Sequence, residues 1–172
     1  DTRIAPASLD LGEAPDAQSV GLRFVNIPIP KNATINTAYL EMEAGTNPNS
    51  GSPTFSIKLQ DSLAAPAFIA GTANFDISSR TLRAESVSWS PASWTAGQIT
   101  AASTTPSLIS LLQPVVNLAG WSSTSNTLVV VITGTVAGTR VIQPVNSGGN
   151  INLVIDFTPA STGSPVLTQT HC

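Results

Sequence analysis

The stretch TPSLISLLQPVVNLAGWSSTSNTLVVVITG, residues 105–134, contains the chain's one helical pattern and its most apolar run. Apolar residues recur at positions 108, 111, 112, 115 and 116, which is the spacing of one face of an amphipathic helix. The pattern predicts a short helix over residues 106–118 that stops at Gly120. Pro114 lies within this pattern, and because it lacks a backbone donor it predicts a kink.

The run Leu128–Ile132, which follows the helix, is apolar, uncharged and rich in β-branched residues. Such a run is typical of a strand that is buried on both faces. Alternating apolar and polar residues predict further strands, with a hairpin across the turn Asn146–Gly149. These strands cover residues 20–29, 35–44, 54–60, 84–89, 138–145 and 150–157. The pattern predicts an all-β fold, an antiparallel β-sandwich with one short helix.

A chain of 172 residues suits one domain with a sizeable core. We divide it into an extended N-terminal arm (1–19), a β-sandwich domain (20–157) and a tail rich in Ser, Thr and Pro (158–172). The core should contain Leu22, Phe24, Leu40, Phe55, Ile57, Leu112, Val116, Val129, Val131, Ile155 and at least two of the three tryptophans.

The composition excludes several classes of partner. Seven basic residues stand against ten acidic ones, so no basic field attracts nucleic acid or an anionic membrane. No apolar stretch approaches the roughly 18–20 residues of a membrane span. The β-branched, turn-rich and Lys-poor usage is typical of secreted proteins, and Asp1 resembles a mature N-terminus after processing. The one cysteine, Cys172, has no internal partner but can link two chains.

Catalytic patterns are poorly represented. The one histidine, His171, lies in the tail, which argues against a nucleophile activated by histidine. Glu41 and Glu43 lie on one face of a predicted strand, as a glycosidase carboxylate pair would, but a solvated strand face is the favoured interpretation. Phosphate-loop, CxxC, HExxH and EF-hand patterns do not occur. We therefore expect a protein that is not an enzyme.

Three kinds of binding residue remain. Trp94, in a polar loop, has the flat aromatic face that stacks on a sugar ring. Asp61, Asp76 and Asp156 could bind calcium together with nearby carbonyl groups, although turn capping is the alternative for each. Asn32 begins the sequon Asn-Ala-Thr in a predicted turn and is a candidate glycosylation site.

Five sequence blocks occur in order over most of residues 20–157. They are VGLRFVNIPIPKNATINTAYLEMEA, SIKLQDSLAAPAF, ISSRTLRAESVSW, LISLLQPVVNLAGW, and TLVVVITGT with GTRV. Their order resembles secreted β-sandwich modules related to the DNRLRE-type carbohydrate-binding domains of cell-surface and polysaccharide-active proteins. The resemblance implies a jelly-roll-like sandwich with a non-catalytic use in glycan binding, adhesion or spacing. Pro114 and the few acidic residues depart from the family, which weakens the implication of a calcium site.

Apolar residues near both termini predict self-assembly. The arm carries Ile4, Leu9 and Leu11, and the tail carries Val166 and Leu167. Either segment could add as a strand to a sheet edge of another copy, and a contact of this kind builds filaments because it does not close on itself. We therefore expect an extracellular structural or adhesive module that binds copies of itself or matrix components. A carbohydrate-binding module is the alternative function, and a monomer with both arms folded back is the alternative state.

Overall fold

The structure is a computed structural model that describes residues 8–12, 18–45, 50–71, 75–134 and 137–160. The strands in these ranges are β1 (Leu9–Leu11), β2 (Ser19–Val25), β3 (Thr34–Met42), β4 (Ser50–Gly51), β5 (Phe55–Leu59), β6 (Val87–Trp89), β7 (Thr127–Gly134), β8 (Gly138–Ile142) and β9 (Ile151–Thr158). One α-helix, α1 (Ile109–Val116), and two single turns of 3₁₀ helix, Ala101–Ser103 and Val145–Ser147, connect them.

The strands form antiparallel sheets that enclose one main core. The first sheet has the order β2-β7-β5-β6, the second pairs β3 with β9, and the third has the order β1-β8-β4. Side chains from the first two sheets, such as Val130 and Leu40, lie in the same buried cluster. The third sheet contacts the segment just after β3 through a bridge between Ile142 and Ala44. The predicted fold class, an all-β antiparallel sandwich with one short helix, is confirmed.

Strand β7 is buried on both faces, as its uncharged sequence predicts. One face contributes Leu128, Val130 and Ile132 to the main core. The other face packs Val129 and Val131 against Ala65 in a smaller cluster. The loop between β5 and β6 covers this second cluster with Phe68, Ile77 and Leu82. A strand between two apolar layers needs apolar residues at every position, and that requirement explains the absence of polar alternation.

The helix is shorter than predicted because the residues predicted to form its first turn pair with β3 of the second sheet instead. The Thr105 and Leu108 amides donate hydrogen bonds to the carbonyl groups of Leu40 (2.9 Å) and Ala38 (2.7 Å) in β3. The Thr105 hydroxyl accepts a further bond from the Leu40 amide at 2.9 Å. Residues 105–108 therefore lie beside β3, and α1 begins only at Ile109.

The predicted hairpin across Asn146–Gly149 is wrong. Strand β8 pairs with β1 and β4, whereas β9 pairs with β3 from Ile35 opposite Phe157 to Met42 opposite Ile151. Gly148, with a φ of 84°, ends a short 3₁₀ turn, and the chain then crosses to another sheet. Turn residues show where a chain changes direction, but the strand partner depends on which apolar rows fill the core.

Most of the predicted core is buried, including all three tryptophans. Phe24 and Ile155 are the exceptions, because each is only half-buried and packs at the margin of the core. Ile69, in the loop that covers the outer face of β7, is 61% exposed. The two half-buried residues lie on β2 and β9, at the side of the sandwich where the apolar interior is least covered.

Candidate functional site

Trp94 is not a surface platform for sugar stacking. Its side chain is buried, and its ring centroid lies 6.0 Å from that of Trp89. Trp89 in turn lies 5.5 Å from Phe55, so the three rings together fill one end of the core. The prediction from loop position was wrong because a polar loop can still direct one aromatic side chain inwards.

The three aspartates proposed for calcium do not form a common site. Asp61 and Asp76 each form a salt bridge of 2.8 Å with an arginine, Arg83 and Arg80 respectively. Asp156 accepts a 3.0 Å hydrogen bond from an asparagine amide on β3. Across the described ranges, no three acidic, histidine or cysteine side chains come together as a metal-binding group. Each of the three carboxylates thus has an arginine or asparagine partner, and calcium binding by any one of them with nearby carbonyl groups stays a prediction.

The glutamate pair is not arranged as two free carboxylates. Glu43 lies just beyond the end of β3, and its Oε2 accepts hydrogen bonds from the backbone and side-chain amides of Asn150 at 3.2 and 2.8 Å. Glu43 therefore orients the residue that precedes β9. Glu41 remains within β3, where it lies opposite Asn152 of β9.

Two of the predicted assembly residues belong to the chain's own sandwich. Leu11 is fully buried in the main core, Leu9 packs against that core, and both lie in β1, which pairs with β8. Leu9 and Leu11 are therefore not part of a free arm, and in this respect the prediction was wrong. The other assembly residues, Ile4, Val166 and Leu167, and also Cys172, lie outside the described residues.

The outer edge of β9 is unpaired in the part of the chain that the structure describes. It pairs with β3 on one side, and within the described residues no backbone hydrogen bond reaches its other side. Its inward-facing row is only half-buried, whereas Leu40 and Met42 on the neighbouring β3 are completely buried. This row consists of Ile151, Leu153, Ile155 and Phe157. Apolar side chains that face the core but are not fully covered indicate a missing layer of contacts.

A groove of about 380 Å³ lies between the start of β9 and the outer side of β2. Its apolar lining includes Leu9, Leu22, Phe24 and Ile151, and Val145 at its margin is 64% exposed. Strand β2 has only β7 as a hydrogen-bonded neighbour among the described strands. Two long strands with unpaired edges therefore border the same groove.

Within the described residues, the β9 edge lacks the features that usually prevent strand addition. Native edge strands are short, or carry lysine, proline or a covering segment. Strands β1, β4 and β6 are two or three residues long, and the outer side of β3 is covered by residues 105–108. Strand β9 has eight residues, INLVIDFT, with no lysine or proline and with Asp156 as its single charge. The composition of β9 can be read from the sequence, but which side of the strand is unpaired depends on the sheet topology.

A second notable group is centred on Arg80, in the loop that covers the outer face of the first sheet. Its guanidinium lies 4.4 Å from the Phe68 ring and donates hydrogen bonds to Gln60, to Asp76 and to loop carbonyl groups. The hydrogen bond from Arg80, with a further one from the Ile69 amide, lowers the pKa of the Asp76 carboxyl below its ordinary value. This group fastens the covering loop.

Replacing Asp76 by asparagine should lower the free energy of unfolding by about 1–2 kcal/mol at neutral pH, because a charged hydrogen bond is lost. Since folding lowers the pKa of this carboxyl, its contribution is complete above the ordinary value of 3.8 and is lost as pH falls through the lower folded value. Urea unfolding from pH 7 to pH 2 should therefore show the two proteins converging in acid. The more exposed Asp61→Asn is the control and should change stability less. A constant difference at every pH would contradict the assignment.

No helix in the described ranges is long and apolar enough to cross a membrane. No family model, curated protein or solved structure matches this chain.

Proposed function

We propose that this chain is a non-catalytic structural module that acts outside the cell and assembles by strand addition at the open edge of β9. The observation that carries the proposal is the long edge of β9, which is unpaired among the described residues and lies beside a groove with a partly apolar lining. An added strand would complete the half-covered row on β9 and cover the groove at the same time. The extracellular location rests on composition, namely a low charge content and abundant β-branched and turn residues.

The energetics favour an added strand. Each new backbone hydrogen bond contributes about 0.5–1.5 kcal/mol net, and apolar burial contributes about 25 cal/mol per Å². Association costs about 4–15 kcal/mol in lost translational and rotational freedom, so a few hydrogen bonds alone would not hold the strand in place. The apolar row of β9 supplies the burial that makes the contact favourable. The main chain would thus provide affinity, and the side chains would determine register.

The donor strand in this proposal comes from a terminal segment of another copy. One candidate is the segment around Ile4, where Arg3 is the nearest charge. The other is the segment around Val166 and Leu167, which contains no charged residue. Donor and acceptor surfaces then differ, so the contact is heterologous and propagates into a filament. Charge repulsion against an added strand would be small, because Asp156 is the single charge on β9 and already accepts a hydrogen bond from Asn36.

Introducing two lysines on β9, Asn152→Lys with Val154→Lys, should weaken assembly at least about tenfold, equivalent to about 1.4 kcal/mol. Lysine on an edge strand disfavours pairing because its charge must be desolvated by the incoming strand. Light scattering across a concentration series would measure the apparent dissociation constant. The wild-type chain should form assemblies whose mass rises with concentration, while the double variant should stay monomeric over a wider range.

The control variant is Ser56→Lys, which adds an exposed lysine to β5, a strand already paired on both sides. It should assemble as the wild type does. Deleting residues 161–172 then tests the tail as donor without altering any described residue. A wild-type chain that stays monomeric at every concentration, or a double-lysine variant that assembles normally, would refute the proposal.

The carbohydrate-binding alternative loses its main residue, since Trp94 is buried. A glycan panel still tests it directly. Binding of a polysaccharide by a chain that remains monomeric would favour that function over assembly.

A further inference from the structure

We propose that Asn32 carries an N-linked glycan. Asn32 is exposed at the corner of a turn that is closed by a 3.1 Å hydrogen bond from the Ala33 amide to the Pro30 carbonyl. Its φ of 61° is in the left-handed region, which asparagine tolerates better than most residues. The acceptor residue therefore lies at an exposed point of the connection between β2 and β3.

The turn presents the two side chains that an acceptor site needs. Asn32 and Thr34 are both exposed, whereas Ala33 between them is completely buried. The buried alanine thus directs the amide and the hydroxyl away from the core. Among the described residues, none forms a hydrogen bond with the Asn32 side-chain amide, so its nitrogen is accessible to a transferase.

The turn is also held firmly in this conformation. The Asn32 backbone amide donates to the Val116 carbonyl at 3.2 Å, and the Lys31 ammonium donates to the Ala119 carbonyl at 3.2 Å. The Ala33 carbonyl accepts a 2.9 Å bond from Gln113. The acceptor is therefore anchored at the C-terminal end of α1, and the folded chain can present it without local unfolding.

The reaction is a glycosyl transfer from a lipid-linked glycan phosphate, a class of donor used at secretory membranes. The Asn32 Nδ2 atom forms a bond to the anomeric carbon, the bond between that carbon and the phosphate oxygen breaks, and the lipid phosphate leaves with the electron pair. Nδ2 loses one proton. The inference rests on the extracellular location in the proposed function, because such donors meet a chain during export.

The position of Asn32 is compatible with assembly. Thr34 lies opposite Thr158, the last residue of β9, so the glycan would lie beyond the end of the β3–β9 ladder. It would leave the outer edge of β9 accessible. A hydrated sugar there would also increase the solubility of a chain in which charged residues make up only 10% of the sequence.

The test is the intact mass of the exported protein from its native source, together with peptide mapping. Asn32 begins the sole Asn-X-Ser/Thr sequon of the sequence, so an N-linked glycan should add mass to one peptide only. Asn32→Gly should abolish the added mass while preserving the turn, because glycine adopts a positive φ without strain. Thr34→Ala should also abolish it, and Thr34→Ser should retain it.

Asn36→Gln is the matched control, since this exposed asparagine lies outside any sequon, and it should leave the added mass unchanged. An unmodified Asn32 in exported protein, or added mass that persists in Thr34→Ala, would overturn the glycan but not the assembly proposal. Protein found exclusively inside the cell would overturn both.

Discussion

Replacing Arg140 by methionine should lower the free energy of unfolding by about 3–5 kcal/mol, among the largest effects expected for a single residue in this chain. Arg140 is 2% exposed and lies in β8. Its guanidinium donates five hydrogen bonds of 2.8–3.4 Å, all to backbone carbonyl groups. The acceptors are Ser50, Gly51, Pro91, Ala92 and Thr139. One side chain thereby connects β4, β8 and the segment before Trp94.

The size of this effect follows from the nature of the acceptors. Exchanging a buried ion pair for apolar residues can be neutral when both partners are replaced. The partners of Arg140 are main-chain carbonyl groups, which no substitution removes, so each would lose its hydrogen bond. The Pro91 carbonyl, whose bond to Arg140 is buried, would be left without this donor. Burial lowers the pKa of Arg140, yet an arginine remains charged at neutral pH.

The comparison variant is Arg23→Met, the same chemical change at an exposed arginine with one 3.1 Å bond to the Ala65 carbonyl. It should cost less than about 1 kcal/mol. Urea unfolding of both proteins measures the difference. Equal unfolding midpoints for Arg140→Met and Arg23→Met would contradict the role assigned to Arg140.

Replacing Val131 by aspartate should unfold the domain. Val131 is 2% exposed and packs in the cluster between β7 and its covering loop. An unpaired carboxylate in a dry cluster costs several kcal/mol, and domains of this size are stable by roughly 5–15 kcal/mol. Circular dichroism and limited proteolysis should show loss of the sheet structure.

Two further variants make this test more specific. Val130→Asp places the charge in the main core, where movement of the covering loop cannot hydrate it, so its effect should be at least as large. Val25→Asp makes the same change at a valine that is 49% exposed and should leave the fold intact. A folded Val131→Asp variant with unchanged stability would refute the central position of β7.

The sequence by itself predicted the features that depend on local side-chain periodicity. Leu128–Ile132 is apolar at every position, and this alone indicates a strand between two layers. The buried face of α1 follows from the helical spacing of residues such as Leu112 and Val116. The exposed turn at Asn32 follows from residues that favour turns. Each of these features depends on neighbours within a few positions.

The tertiary structure alone decided which residues meet. No local signal indicates that β9 pairs with β3 and not with β8, because that choice depends on how apolar rows far apart in the sequence fill a common core. The burial of Trp94 depends on the space beside Trp89, and the binding of Arg140 depends on three distant segments. The unpaired edge of β9 in the described part of the chain also depends on how distant segments pair. Periodicity shows which face of a strand is apolar, but only the closed sandwich determines which edge remains uncovered.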